Sequence, residues 1–272
     1  MNKVKSISIL GCGWLGFPLA KALLKNGYAV KGSVRKESAF HQIEQAGIEP
    51  FLLDLQTDSI TGDIDKFLNN TELLIISIPP KLRSDTTENF VAKIKNLIPY
   101  IENSTVKRLI FTSSTSVYAN NHHDLVTEET IPNPETVSGK QLLKVELLLK
   151  SNTHFQTIIV RFGGLIGAER NPLHFLRRQN EIKNPDMPIN FIHLDDCLGI
   201  LTQIILQEIG NETFNAVAPY HPTKAAYYSE LSIKKEMNMP IISQKSVAPG
   251  KIISSEKLKS ILHYQFMRPY LK

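Results

Sequence analysis

The chain is poor in cysteine, in long apolar runs and in massed charge, and each shortage removes a class of function. Its 272 residues hold two cysteines, Cys12 and Cys197. They stand far apart, and neither has a partner at metal-ligand spacing. No disulfide framework and no metal site is expected, and two reduced thiols fit a cytoplasmic protein. No apolar run approaches the ~20 residues that cross a bilayer, so no membrane partner is expected. The basic start MNKVKSISILGCG imitates a secretion signal only briefly. Its apolar run stops at a glycine cluster, as a first β-strand would. The 31 Lys and Arg against 26 Asp and Glu leave a formal net charge of +5. These cations are scattered among acids and no nucleic-acid motif accompanies them. A small anionic metabolite is therefore the expected partner, and nucleic acid is not. Internal repeats and low-complexity segments are also missing.

What is present is alternation. Short, mostly apolar runs at Val4–Leu10, Tyr28–Val34, Pro50–Leu53, Leu73–Ile78, Val106–Thr112 and His154–Arg161 read as strands buried on both faces. Between them, Leu15–Asn26, Glu37–Ala46, Thr86–Ile101 and Thr136–Lys150 carry helical spacing. That order predicts an α/β fold, a doubly wound parallel sheet of the Rossmann type, over residues 1–165. From about Gly163 the rhythm changes. Segment 168–190 is polar with three prolines and reads as a loop with one short helix. A helix over 195–208, a strand near Thr213–Val217, a helix from about Thr223 and a strand–helix tail follow. Residues 166–272 are expected to form a small C-terminal substrate-binding lobe over the carboxyl ends of the sheet.

The strongest local signal is ILGCGWLGFPLA, in which Gly11, Gly13 and Gly16 follow the first strand and open the first helix. Gly11 allows the tight turn, Gly13 lets a pyrophosphate approach the backbone, and Gly16 lets helix pack on strand. The helix start then offers free N–H groups to the anion. Trp14 and Leu15 belong to the same turn, Trp14 reading mainly as a packing residue. The expected ligand is a dinucleotide. A second absence bears on which one. An NAD site places Asp or Glu at the end of the second strand, to bind the ribose 2′-hydroxyl. Here KGSVRKES offers Ser33, Arg35 and Lys36, with no acid before Glu37. Cations and a hydroxyl suit a 2′-phosphate, so NADP is favoured, with NAD as the alternative.

RLIFTSSTSVYAN at the fifth strand, together with the glycine turn, resembles the extended short-chain dehydrogenase/reductase family, the nucleotide-sugar epimerases and dehydratases. VRFGGLIGAERNP, NFIHLDDCLGIL, GNETFNAVAP and GKIISSEKLKSILHYQF are similar to further segments of that family, in the same order. NAVAPYHPTKAAYY points to a short bacterial branch labelled as nucleoside-diphosphate-sugar epimerases or NAD(P)-dependent oxidoreductases. The resemblance implies that Ser114 hydrogen-bonds a substrate oxygen and that Lys140 holds the nicotinamide ribose. It also implies that Asp54 touches the adenine and that the main chain at Ser77, Ile78, Pro79 and Pro80 skirts the cofactor. It makes the Asp195–Asp196 pair a helix cap and His193 a structural residue. The helices at 86–101 and 136–150 are surfaces on which such proteins form a homodimer.

A third absence is chemical. In PETVSGKQLLKVE the family's catalytic tyrosine, four residues before Lys140, is replaced by Thr136. A phenol with a pKa near 10 can be tuned toward neutrality by a lysine; an aliphatic hydroxyl is several units more basic. Three readings stand. Another group, Tyr118 or His122 or His123, takes the proton. Or Ser114 and water polarise an activated substrate. Or the fold binds NADP(H) as a sensor without turnover. Arg161, Arg170, Arg177 and Arg178 are candidates for a substrate phosphate, with a nucleotide sugar or another anionic metabolite as substrate.

Overall fold

The protein is described from a computed structural model, which defines residues 6–80, 89–120, 125–167, 169–172, 181–236, 241–244 and 250–271. His122, His123, Arg177 and Arg178 lie outside the described residues, as do Val4, Thr86 and part of the loop expected at 168–190.

Seven parallel strands form one sheet: β1 Ser6–Leu10, β2 Ala29–Val34, β3 Glu49–Leu52, β4 Leu73–Ile76, β5 Arg108–Ser114, β6 Gln156–Phe162 and β7 Glu212–Ala216. Their order is β3-β2-β1-β4-β5-β6-β7. The central strands are apolar because both faces are covered. LLII of β4 is fully buried, and Ile7, Ile9, Ile110 and Ile158 are at most 1% exposed. The helices are α1 Gly16–Lys25, α2 Glu37–Gln45, α3 Ile64–Leu68, α4 Phe90–Glu102, α5 Val137–Lys150, α6 Leu194–Leu206, α7 Lys224–Lys234 and α8 Glu256–Leu262.

Side chains start most of them. Asp63, Asn89 and Thr223 accept hydrogen bonds from the main-chain N–H three residues on. On one face of the sheet α1, α2, α6 and α8 bury Leu19, Leu23, Ile43, Ile200, Ile204 and Leu258. On the other, α4 and α5 bury Phe90, Ile94, Leu97, Leu142, Val145 and Leu149. A third, smaller cluster joins Ile166, Ile182, Ile189, Tyr227, Tyr228 and Leu271. The chain reverses direction across the sheet between β1 and β4, so a crevice opens at the carboxyl ends of those strands.

The cap of α6 corrects an expectation. His193, not the aspartate pair, is the N-cap, its Nδ1 accepting from the Asp195 N–H at 3.2 Å. Asp196 is fully buried. It accepts from the Met267 N–H, the Arg268 N–H and the Tyr264 hydroxyl, and so ties the tail back onto α6. Among the described residues no helix is long and apolar enough to cross a membrane.

Candidate functional site

At the end of β1 the chain turns through Gly11, whose φ is +103°. A Cβ there would stand 2.7 Å from Ile78 Cγ2 and 2.8 Å from the Ser77 carbonyl oxygen. A left-handed conformation and a crowded wall together require glycine. Gly16 is confined too, since a Cβ would collide with the Gly11 carbonyl oxygen. Gly13 has nothing within 4 Å of where its Cβ would lie, so the middle of the turn faces open space. α1 begins after Leu15 with no side-chain cap and no acid in its first turn. The open end of that helix therefore presents N–H groups and a partial positive charge. These features fit a dinucleotide diphosphate: two glycines build the turn, and the third leaves room beside the helix start.

Ser33 departs from its expected role. Its side chain is 2% exposed, its hydroxyl accepts from the Gly11 N–H at 2.9 Å, and its carbonyl accepts from the Cys12 N–H at 2.7 Å. It braces the glycine turn from beneath rather than facing solvent. Arg35 and Lys36 are exposed just beyond the end of β2. Asp54 is half-buried in the short strand Asp54–Leu55. Ile78 is half-buried against Gly11 and Pro79 is exposed, both following β4 at the crevice. Burial pushes the Cys12 thiol up to about 12, which makes it an inert packing group.

The chemistry side lies at the end of β5. Ser114 is half-buried, and its hydroxyl accepts from the Ser116 N–H at 3.1 Å, starting a short 3-10 turn at Thr115–Val117. α5 packs on that turn so closely that a Cβ on Gly139 would collide with the Ser116 carbonyl. This brings Ser114 and the exposed Lys140 to one end of the sheet. Thr136 sits one residue before α5, and its hydroxyl accepts from the Gly139 N–H at 3.0 Å. It is the N-cap of the helix.

Tyr118, one of the groups considered for the missing proton donor, is turned inside. It is 2% exposed, donates to Asn215 Oδ1 at 3.0 Å and accepts from Arg161 Nη1 at 2.6 Å. Burial raises its phenol above the ordinary value despite the guanidinium. Arg161 in turn forks onto Glu146, with Nη2 to Oε2 at 2.6 Å, and Ser113 donates to Glu146 Oε1 at 2.5 Å. Arg161 is thus held by a buried carboxylate and does not face a substrate phosphate.

Sequence reasoning missed Lys251. Its ammonium is 8% exposed and donates to the carbonyls of Thr115 at 2.8 Å and Tyr118 at 2.6 Å. The tail thereby holds the turn that carries Ser114. Burial lowers this ammonium to about 8, with Glu135 acting in the opposite direction. The available signal was a lysine directly before the apolar pair Ile252–Ile253.

Residues 11–189 match a protein family described as NAD(P)H-binding. Protein YeeZ of Escherichia coli K12 is 28% identical over 269 residues, 98% of this chain and 97% of that one. Among solved structures, UDP-glucuronic acid 4-epimerase from Bacillus cereus, in complex with NAD, superposes with a TM-score of 0.80. Its identity is 19%, with 96% of this chain and 92% of that chain covered. UDP-N-acetylglucosamine 4-epimerase from Methanobrevibacter ruminantium M1, in complex with UDP-N-acetylmuramic acid, gives 0.78 at 18% identity, covering 97% and 93%. At such identities these structures establish a shared fold.

Proposed function

This chain belongs to the NAD(P)H-binding family, and we propose that it is an NAD(P)-dependent oxidoreductase or epimerase/dehydratase-like enzyme of the short-chain dehydrogenase/reductase kind, with a site that lacks the tyrosine. The glycine turn carries the reading: Gly11 and Gly16 build it and Gly13 leaves it open, at the uncapped start of α1. The main chain from Gly11 through Gly16, Trp14 and Leu15 included, would hold the diphosphate. Ile78 and Pro79 stand at the crevice edge, and Asp54 is assigned to the adenine. Arg35 and Lys36, with no carboxylate beside them before Glu37, favour NADP over NAD. The bound cofactor supplies a hydride donor or acceptor.

The protein's own groups supply little proton chemistry. Ser114 can donate a hydrogen bond to a substrate oxygen, and Lys140 adds an exposed cation at the same end of the sheet. Thr136 caps a helix and Tyr118 is buried, so neither is assigned a proton. Polarisation by Ser114 and water suits an already activated substrate, and a nucleotide sugar or another anionic metabolite in the cytoplasm is the class assigned. The same observation favours a second reading, an NADP(H)-binding sensor without turnover.

Titration of the purified protein with NADPH and NADH by calorimetry tests the cofactor. Tight NADPH and weak NADH binding are expected, and Arg35→Glu should weaken NADPH about tenfold more than NADH, the size of one lost charge-assisted contact. Equal losses would remove the specificity argument; no binding by the wild type would remove the reading. NADPH oxidation or sugar epimerisation across a nucleotide-sugar panel separates enzyme from sensor.

A further inference from the structure

Cations drawn out of solvent in this fold mostly find oxygen. Lys31, Arg108 and Lys251 donate to main-chain carbonyls, and Arg161 and Lys257 meet the carboxylates of Glu146 and Glu212. Arg170 lies over the Trp14 ring at 4.4 Å. Lys224, in the first turn of α7, is different. Its side chain is half-buried, and among the described residues its ammonium reaches one acceptor, the Met187 thioether at 3.8 Å. A thioether sulfur is a weak acceptor and carries no charge. Burial alone lowers this ammonium from its ordinary value, with no carboxylate acting to raise it. The helix opposes the charge as well, because a helix start carries partial positive charge and no acid stands in the first turn of α7. A cation kept desolvated and without a counter-charge lowers stability, and such residues concentrate at ligand sites.

The position of Lys224 is a second, independent observation. The Lys224 N–H donates to the Met187 carbonyl and the Ile189 N–H donates to the Pro222 carbonyl, each at 2.9 Å, so the start of α7 lies along Met187–Ile189. The same segment packs on the tail, where a Cβ on Gly250 would stand 2.8 Å from Pro188 Cδ and 3.3 Å from Met187 Cγ. The next residue is Lys251, which holds the turn that carries Ser114. Contacts therefore run from Lys224 through Met187 and the Gly250–Lys251 pair to the serine turn.

We propose that Lys224 binds a phosphate of the substrate, from the second half of the chain and on the side of the crevice that carries Ser114. An ammonium is a compact charge with three donors, and it meets phosphate oxygens without a fixed direction of approach. A bound phosphate would supply the counter-charge that the fold leaves out. Ser114 and Lys224 would then hold two parts of one substrate, its reacting oxygen and its phosphate. The inference rests on the enzyme reading above and deepens it by giving the anionic substrate its cation.

The test is calorimetric titration of the full-length protein, first with NADPH and then, with NADPH saturating, with UDP and with inorganic pyrophosphate. The wild type should bind at least one of the two phosphate probes. Lys224→Met should bind that probe about tenfold more weakly, the size of one charge-assisted hydrogen bond, with NADPH affinity unchanged. Lys224→Arg, which keeps the charge, should retain most of the affinity. Thermal melting without ligand gives a readout that a structural lysine would not share. Lys224→Met should melt no lower than the wild type, because a desolvated charge has been removed and the apolar stem replaced. Unchanged probe affinity in Lys224→Met would overturn the inference and leave the cofactor reading intact, as would a wild type that binds NADPH but neither probe. A variant that melts lower and loses NADPH and the probe together would make the lysine a packing group, and would overturn it too. Failure of the wild type to bind NADPH would remove the cofactor reading; the probe titrations, run without NADPH, would then decide the role of Lys224 separately.

Discussion

At the carboxyl ends of β1 and β2 the groups turned outward are the open start of a helix, a glycine with free space beside it and exposed cations. At the ends of β5 and β6, in the same sheet, polar side chains turn inward onto one another. Ser113, Glu146, Arg161, Tyr118 and Asn215 form a chain of hydrogen bonds beneath the surface, all but closed to solvent. Thr136 spends its hydroxyl on a helix cap, and Ser114 accepts from the turn it begins. One side of the crevice is arranged for a ligand. The other is arranged first for its own integrity, with Ser114 and Lys140 left at its edge. A turn that fits a dinucleotide therefore stands beside a scaffold whose Tyr118 phenol is buried, and stability and binding should separate cleanly between the two.

The sharpest way to break that contrast is at the buried pair. Removing the guanidinium in Arg161→Met leaves Glu146, 1% exposed, as an uncompensated buried carboxylate and also strips the Tyr118 hydroxyl of a donor. A loss of about 3–5 kcal/mol is expected in urea denaturation. NADPH affinity measured in the folded protein should hold. A double variant, Arg161→Met with Glu146→Leu, should regain much of the stability, because no charge is then stranded. A fall in affinity that tracks the stability loss would show that the two sides are one unit.

Lys251 tests how firmly the chemistry side is closed. Its ammonium titrates near 8 in the folded protein, against an ordinary 10.5 for lysine. Below pH 8 both folded and unfolded chains carry the proton, and the folded state bears the cost of burying it. Between about pH 8 and 10.5 the folded state has released that proton while the unfolded state keeps it, so stability rises with pH. The stability difference between wild type and Lys251→Met should shift in favour of the wild type by up to about 3 kcal/mol across that window. A flat difference would mean that solvent reaches the ammonium, and that the tail does not seal the turn at Thr115–Tyr118.

How much of this could be read from sequence follows the range of the interactions. The seven strands and the glycine turn were legible because burial on both faces imposes continuous apolar runs, and because a strand–turn–helix with three glycines is a local pattern. Ser33 was misplaced because its partner, Gly11, lies 22 residues away on another strand. For Tyr118 the signal was further still: Arg161 and Asn215 are 43 and 97 residues distant, and only the sheet order brings them together. The short parallel pairing of Leu125–Val126 with Ile252–Ile253, which carries Lys251 to the serine turn, is invisible at any local window. Thr136 is a different case. A threonine just before a helical run is an N-cap signal in its own right, and it was overshadowed by the question of which residue should have stood there.

That residue offers the smallest and most discriminating effect. If Thr136 only caps α5, Thr136→Ala removes one hydrogen bond to the Gly139 N–H and should cost about 1 kcal/mol of stability. Thr136→Ser should restore most of it, since serine caps as well. Neither change should move NADPH affinity, nor any turnover found in a substrate screen, once both proteins are measured well below their melting temperatures. Thr136→Tyr makes the opposite demand. It should lose the cap and a similar amount of stability, while leaving the glycine turn and its affinity untouched. A Thr136→Ala protein of unchanged stability but altered turnover would return the threonine to the chemistry. The closed side of the crevice would then be a working half of the site rather than its scaffold.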